Sequence, residues 1–329
     1  MSETDAHLEQ CLQRVLQTAL GPGYASADLT RLRGGTKKDV YRAKAEDRSV
    51  ILYVWNHPES HRPTGECDVR DDVCDLFADA SGVDLFVAAN YGLQSLGVRT
   101  PELYFLDTSR AELPADVAMV EDIQGGTLEQ FWCRCPGDTP LLMSELGHML
   151  QRIHIRRSSS VGKLACIESA IFQDARCEHL ALARALSHLN HASTRIDRLG
   201  AAKDALGEAL QSLASAVTPR VKYSLIHGEL GPDHVLVDSQ SHPVIIDIEG
   251  LMFCDVKWEH AFLAIRFGEH YHALREIGLD ETRLRFYTLC LRLSLCSGPL
   301  RLLDGDFPDR DMMTGIIEWN GTKALEFIQ

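Results

Sequence analysis

The sequence predicts an α+β chain with two lobes, a small one built around a β-sheet and a larger one that is mainly helical. Short β-favouring runs dominate the first third of the chain. Apolar residues at helical spacing dominate the remainder, apart from a compact β insert between residues 221 and 248. A length of 329 residues also suits two lobes, each with its own core. We place the lobes at residues 1–122 and 123–329.

The small lobe is predicted to hold a five-stranded antiparallel sheet and one helix. The helix is expected from Gly82 to Leu96, because Leu85, Ala89, Leu93 and Leu96 share one face. Gly97 ends this helix and Pro101 prevents its continuation. The strands are expected at 29–33, 40–43, 50–55, 102–106 and 117–121.

The large lobe is predicted to begin after a glycine-containing hinge, Gly125-Gly126. A first helix follows Pro140, and alanine-rich helices are expected at 178–190 and 198–217. The β insert has strands at 221–226, 235–238 and 244–248, and the chain is again mostly helical from Trp258 onward.

Charge and hydropathy exclude several classes of protein. The 33 basic and 47 acidic residues give a formal charge of -14, which disfavours binding to nucleic acid or to an anionic membrane. Such a charge would attract a cationic substrate, but it is also common in enzymes for solubility alone. No apolar run approaches the roughly 20 residues of a membrane span. The polar, acidic start lacks the features of a secretory signal, so we expect a cytoplasmic protein. The spacing of the cysteines does not predict a zinc site.

Two polar loops in the β insert carry the chemistry. The first, at 227–234, reads H-G-E-L-G-P-D-H, and the second, at 247–250, reads D-I-E-G after an apolar strand. At this spacing the sequence resembles the aminoglycoside phosphotransferase family of small-molecule kinases, whose catalytic loop reads H-G-D-L-x-x-x-N. Supporting motifs are Gly34-Gly35-Thr36, Val120-Glu121-Asp122-Ile123, Gly125-Gly126-Thr127-Leu128 and Leu150-Gln151-Arg152-Ile153-His154. The resemblance implies a bilobal, protein-kinase-like fold.

The resemblance also implies roles for the loop residues. Phosphoryl transfer depends on positioning and on neutralisation of charge, so it needs metal ligands and a carboxylate beside the accepting hydroxyl. Glu229 takes the position of the catalytic Asp and would act as the base. Asp247 and His234 take the positions of the two Mg²⁺ ligands, and we call the loop at 247–250 the metal loop. Glu is one methylene longer than Asp, and His offers nitrogen where magnesium prefers oxygen. His227 is expected to brace the loop.

The nucleotide side departs further from the family. Tyr53 stands where the third strand usually carries a lysine, and the helix glutamate that pairs with that lysine would fall near Ala89. Because both members of the ion pair are missing, neither charge is left unpaired. Lys38 is our preferred replacement for the contact with the phosphates of ATP or GTP. The residues expected to surround this nucleoside triphosphate are Gly34, Gly35, Thr36, Lys37, Lys38, Tyr53, Glu121 and Ile123, the last two through their backbone.

The acceptor is expected to be a small molecule with a hydroxyl group. Glu259 resembles the acidic residue that ties its segment to the catalytic loop, and it is also a candidate acceptor contact together with Glu269. An antibiotic, an aminosugar or a nucleoside-like compound would fit the resemblance, in resistance or in self-protection during biosynthesis.

Other interpretations stay open at this point, one of which is that the polar residues at 227–234 only stabilise their loop. His227, Glu229 and His234 could be transition-metal ligands, although their spacing does not suit one helical face. A pseudokinase that only binds a nucleotide or ligand would explain the missing ion pair and the Glu229 substitution together. A protein kinase is a further option, which the short segment between the metal loop and Trp258 disfavours.

Overall fold

The computed structural model describes residues 3–24, 26–32, 38–46, 48–56, 76–77, 81–169 and 174–329. Its mixed composition of helices and one larger antiparallel sheet confirms the predicted α+β class. The helices are α1 Glu3–Leu20, α2 Val83–Ser95, α3 Leu128–Arg134, α4 Thr139–Ile155, α5 Cys177–Ser193, α6 Asp197–Ala201, α7 Lys203–Ser215, α8 Val256–Phe267, α9 Glu281–Leu303 and α10 Arg310–Leu325. The strands are β1 Asp28–Arg31, β2 Asp39–Ala45, β3 Arg48–Asn56, β4 Leu103–Asp107, β5 Ala115–Glu121, β6 Arg157–Ser158, β7 Gly162–Lys163, β8 Tyr223–Ile226, β9 Val235–Val237, β10 Pro243–Ile245 and β11 Met252–Cys254.

The described residues fall into two compact units. The first contains those between 3 and 56 together with 81–145 and 233–250. The second contains 76–77, 146–232 and 251–329. This division differs from the predicted lobe boundary between residues 122 and 123, since 123–145 and the hairpin of β9 and β10 belong to the first unit. The lobe boundary stays a prediction.

The first unit is built on the predicted five-stranded sheet. Its order is β1-β2-β3-β5-β4, and every neighbouring pair is antiparallel. Strand β3 lies in the middle, where Tyr53 pairs with Val40 on one side and Ala118 on the other. Ala45 pairs with Arg48 and Asp39 pairs with Val54, so the residue just before β2 lies beside the end of β3. This pairing places Lys38 next to the central strand.

Helix α1 was not predicted from the sequence. Its buried residues recur at the spacing of one helical face, with Leu12, Val15 and Leu16 in the core of the sheet beside Leu52 and Met119. The polar and acidic first residues obscure this pattern in the sequence.

The second unit combines helices with a small sheet. Its four strands have the order β6-β8-β11-β7, and β8 leads directly into the predicted catalytic loop. The single helix predicted at 198–217 is wrong in one respect, because the backbone of Ala202 leaves the helical region and divides it into α6 and α7. None of the described helices combines the length and the apolar character that a membrane span requires.

Candidate active site

The metal loop is positioned by the hairpin of β9 and β10 in the first unit. A short 3₁₀ turn, Pro232–His234, enters β9, and the N–H of Ile246 donates to the carbonyl of His234 at 3.0 Å. The residue before β9 therefore lies next to the residues that follow β10, and His234 Nε2 lies 3.7 Å from Asp247 Oδ2. The hairpin thus brings together the two residues predicted as metal ligands.

Asp247 has an unusual backbone. Its φ of 58° lies in the left-handed region, which residues other than glycine rarely adopt. Its carboxylate is 48% exposed, so it can reach a ligand. Strained backbone of this kind is typical of functional loops, where the surrounding structure holds it in place.

Lys38 meets the metal loop from the start of β2. Its Nζ lies 3.2 Å from Asp247 Oδ1 and contacts Glu249 Oε1 more closely still. The side chains of Lys38 and Glu249 are only 10% and 4% exposed. Nζ also lies 4.7 Å from the centre of the Tyr53 ring, which gives a cation–π contact. The lysine preferred from the sequence therefore stands over the residue that replaces the family's strand lysine.

The charges around Lys38 favour its protonated form. Burial on its own would lower the pKa of Lys38, but the carboxylates of Glu249 and Asp247 outweigh it and raise the pKa above its ordinary value. Burial also raises the pKa of Tyr53, to about 12, so the ring stays a neutral phenol. Lys38 is a fixed positive charge beside the metal loop.

Glu249 is a site residue that sequence reasoning missed. It follows Asp247 by two positions, in the 3₁₀ turn Ile248–Gly250, and it holds Lys38 across 211 positions of sequence. Its other oxygen, Oε2, is buried and has no hydrogen-bond partner among the described residues. A signal was available in the second acidic residue of the D-I-E-G loop.

The catalytic loop begins where β8 ends, and its residues 227–232 lie in the second unit. The N–H groups of His227 and Gly228 both donate to Glu259 Oε1 at 3.0 Å. Gly228 has a φ of 92°, a backbone conformation that residues with a side chain rarely adopt, so the loop favours glycine at this position. Glu229 follows, and its side chain is exposed. This exposure is compatible with the predicted role of Glu229 as the base.

Glu259 is buried in α8 and both of its oxygens are engaged. While Oε1 accepts from the catalytic loop, Oε2 lies 2.7 Å from His154 Nε2. The structure therefore favours the bracing role of Glu259 over contact with an acceptor. Glu269 is exposed in the short turn Gly268–Ala273, and its role as an acceptor contact stays a prediction.

The segment predicted to meet the nucleotide base follows β5. The N–H of Glu121 already donates to the carbonyl of Glu102 at 2.9 Å, and the Glu121 carboxylate binds Arg99 at 2.6 Å. A donor to an adenine or guanine base in this segment would therefore come from a later residue, such as the buried Ile123. Gly34, Gly35, Thr36 and Lys37 lie outside the described residues.

A protein-family model covers most of the chain. The model of the APH phosphotransferase enzyme family matches residues 28–287, which include the sheet, both loops and Glu259. The chain belongs to this family. Membership supports a small-molecule phosphotransferase, as the sequence motifs predicted. No protein of curated function matches the chain.

Solved structures of the same fold include antibiotic and metabolite kinases. A complex of APH(2")-IIia with GDP and kanamycin has a TM-score of 0.64 at 16% identity, covering 95% of this chain and 98% of that one. An apo thermostable mutant of APH(4)-Ia has a TM-score of 0.63 at 18% identity, covering 94% and 97%. An ethanolamine kinase of Plasmodium vivax has a TM-score of 0.60 at 11% identity, covering 97% and 89%. These likenesses confirm the kinase-like fold.

Proposed function

We propose that this phosphotransferase moves the γ-phosphate of ATP or GTP onto a hydroxyl group of a small, cationic molecule. The observation that carries the proposal is the cluster of Lys38, Glu249, Asp247 and His234. In this cluster a buried lysine stands beside the metal loop of a family member. The cluster supplies both charges that phosphoryl transfer needs, a fixed cation for phosphate oxygens and a carboxylate for a metal ion.

Asp247 and His234 are the residues that would hold magnesium. An accessible carboxylate beside an imidazole fits a Mg²⁺ ion that arrives on nucleotide phosphates, because such ions take few protein ligands and keep other oxygens around them. When bound, the ion neutralises charge on the phosphate oxygens.

In the proposed reaction, the oxygen of the substrate hydroxyl bonds to the γ-phosphorus while Glu229 accepts the proton of that hydroxyl. The bond between that phosphorus and the oxygen bridging to the β-phosphate breaks, and ADP or GDP leaves with its electron pair. Lys38 offsets the negative charge on the phosphates, and Glu249 keeps its ammonium group in place. Glu259 holds the backbone of the catalytic loop at His227 and Gly228.

The formal charge of -14 supports a cationic acceptor. Structures of the same fold hold kanamycin, hygromycin B or spectinomycin, which are all amine-bearing antibiotics. A role in antibiotic resistance or in self-protection during biosynthesis would follow from such a substrate.

The test is a panel of amine-bearing antibiotics, aminosugars, nucleosides and simple amino alcohols, incubated with ATP or GTP and magnesium. Mass spectrometry reads the mass of one added phosphate group. Asp247→Ala and Glu229→Ala should each abolish phosphate addition while leaving the fold intact. Glu208→Ala, which removes an exposed carboxylate on α7, should retain it.

The second candidate is a binding module without catalysis, which the replacement of the strand lysine by Tyr53 favours. In that case no compound of the panel gains phosphate, and Glu229→Ala changes neither nucleotide binding nor any other measured property. Phosphate addition that survives Asp247→Ala would refute the proposed metal ligands.

A further inference from the structure

A second cluster of possible metal ligands lies in the second unit. It consists of His154 near the end of α4, His260 in α8 and Glu276 in the segment between α8 and α9. Each residue offers one ligand atom, and these atoms all lie within 4.8 Å of one another. None of the three residues belongs to the proposed catalytic machinery.

His154 is held between two carboxylates. Its Nε2 lies 2.7 Å from Glu259 Oε2, and because a carboxylate only accepts, this nitrogen carries the hydrogen. Its Nδ1 lies 2.6 Å from Glu276 Oε1, a second acceptor. Two acceptors cannot face each other at this distance, so either a hydrogen on the ring or on the carboxyl group lies between them, or a cation binds both atoms.

His260 favours the cation. Its side chain is 0% exposed, and its Nε2 is buried with no hydrogen-bond partner among the described residues. That nitrogen lies 3.7 Å from the same oxygen of Glu276 that faces His154. A proton on His154 satisfies one imidazole and leaves the other unsatisfied, whereas a bridging cation satisfies both.

The surroundings also match those of metal-binding histidines. Such residues usually bind a carboxylate or another polar group through their second nitrogen, which fixes the orientation of the ring. His154 does so with Glu259, and His260 Nδ1 lies 3.2 Å from the hydroxyl of Tyr271. Two imidazoles and one carboxylate are a ligand set that zinc accepts, with a fourth position left for water.

We propose that His154, His260 and Glu276 form a zinc site separate from the magnesium-dependent active site. Glu259 connects the zinc site to the start of the catalytic loop. One of its oxygens orients His154, and the other accepts from the backbone N–H groups of His227 and Gly228. Zinc at this site would fix His154 and Glu259 together and so stabilise the start of the catalytic loop.

The test uses the full chain after removal of metal with a chelator, titrated with Zn²⁺ in competition with a chromophoric chelator. We expect one tight site. Glu276→Gln keeps the shape of a side chain that is 28% exposed, so the variant should fold. Its zinc affinity should fall by at least the roughly 10–100-fold that loss of an outer partner of a ligand costs. His260→Gln should have the same effect, with its fold checked by circular dichroism. His242→Gln is the control, because it removes an exposed histidine paired with Glu145 and should leave zinc affinity unchanged.

Cobalt separates this site from thiol sites. Co²⁺ bound at two imidazoles and a carboxylate gives visible d–d bands without a thiolate charge-transfer band, and Glu276→Gln should remove those bands. Absence of a tight site, affinity that persists in both Glu276→Gln and His260→Gln, or a thiolate charge-transfer band would each overturn the proposal.

Discussion

At the scale of single residues, the charge that we propose for the nucleotide phosphates is Lys38, where the family resemblance implies a lysine at position 53. Tyr53 occupies the strand position of the expected lysine, and Lys38 reaches the same region from the neighbouring strand. Its partner is Glu249 of the metal loop instead of a helix glutamate. A buried ion pair of this kind is costly to break, because removal of one partner leaves the other charge unpaired.

The proposed role of Lys38 predicts what happens when a lysine is placed at position 53 instead. Lys38→Ala should lower kcat/KM about 100-fold or more, since a fixed cation for the phosphates is lost. The double variant Lys38→Ala/Tyr53→Lys should recover part of that loss, because Tyr53 lies directly beneath the Lys38 ammonium group. Lys44→Ala, on the exposed side of the same strand, serves as the control. Steady-state kinetics of Lys38→Ala that match those of Lys44→Ala would remove Lys38 from the site.

His154 predicts a dependence of stability on pH in the metal-free protein. Burial alone would lower the pKa of His154, but its hydrogen bonds to Glu259 and Glu276 outweigh it and raise the pKa to about 9. A raised pKa means that the charged form stabilises the fold fully below the unfolded value of about 6.5. This contribution is lost as the pH rises through 9.

Thermal unfolding with a chelator present, at pH 6 and at pH 9.5, measures this contribution. The wild type should exceed His154→Gln in melting temperature at the lower pH, and the difference should shrink at the higher one. A difference that stays constant across this range would show that His154 is not protonated in the fold.

At the scale of elements, the glycine pair before α3 is explained by close packing. A Cβ at Gly125 would lie 2.0 Å from the carbonyl oxygen of Val237, and the N–H of Val237 donates to the carbonyl of Gly126 at 2.9 Å. The backbone of the segment expected as a hinge thus lies directly against β9. Thr127 then caps α3 through a capping box with Gln130.

This contact predicts a specific loss of stability. Gly125→Ala should lower the free energy of unfolding by about 1–3 kcal/mol or more, because a backbone oxygen cannot move aside as a side chain can. Gly137→Ala is the matched control, since nothing lies within 4 Å of a Cβ at that glycine. Urea denaturation measures both variants, and equal stabilities would show that the β9 contact is not formed as described.

Local pattern predicted most elements but not their long-range contacts. The strands of the first unit were predicted to within about two residues because alternation and turn residues are local signals. The division at Ala202 was missed because no proline marks it. Helix α1 was missed although Cys11, Leu12, Val15 and Leu16 share one helical face. The loops of the β insert were recognised by residue type and spacing.

At the scale of the whole molecule, the site residues come from segments far apart in the sequence. The family resemblance predicted Asp247 and His234 as metal ligands, and the hairpin of β9 and β10 brings these two residues together. The sequence did not predict a role for Glu249, because only the fold brings its partner Lys38 to it. The metal-ligand cluster of His154, His260 and Glu276 was missed for the same reason.

Nucleotide binding should stabilise the chain in a magnesium-dependent way. At a concentration of 100 times the dissociation constant, a ligand adds about 2.7 kcal/mol to the free energy of unfolding. We expect ATP or GTP with magnesium to raise the melting temperature of the wild type. In Asp247→Ala, most of the magnesium-dependent rise in melting temperature should be lost. An identical shift with EDTA present would contradict the assignment of Asp247.

The ion pair of Lys38 also has a consequence for chemical labelling. An amine reacts with acylating reagents only in its uncharged form, and the carboxylates beside Lys38 keep it an ammonium ion. This lysine should therefore be acylated more slowly than exposed lysines such as Lys44 in the same sample. Replacing Glu249 with glutamine would make it more reactive, so the rate of covalent modification reports directly on whether the pair is intact.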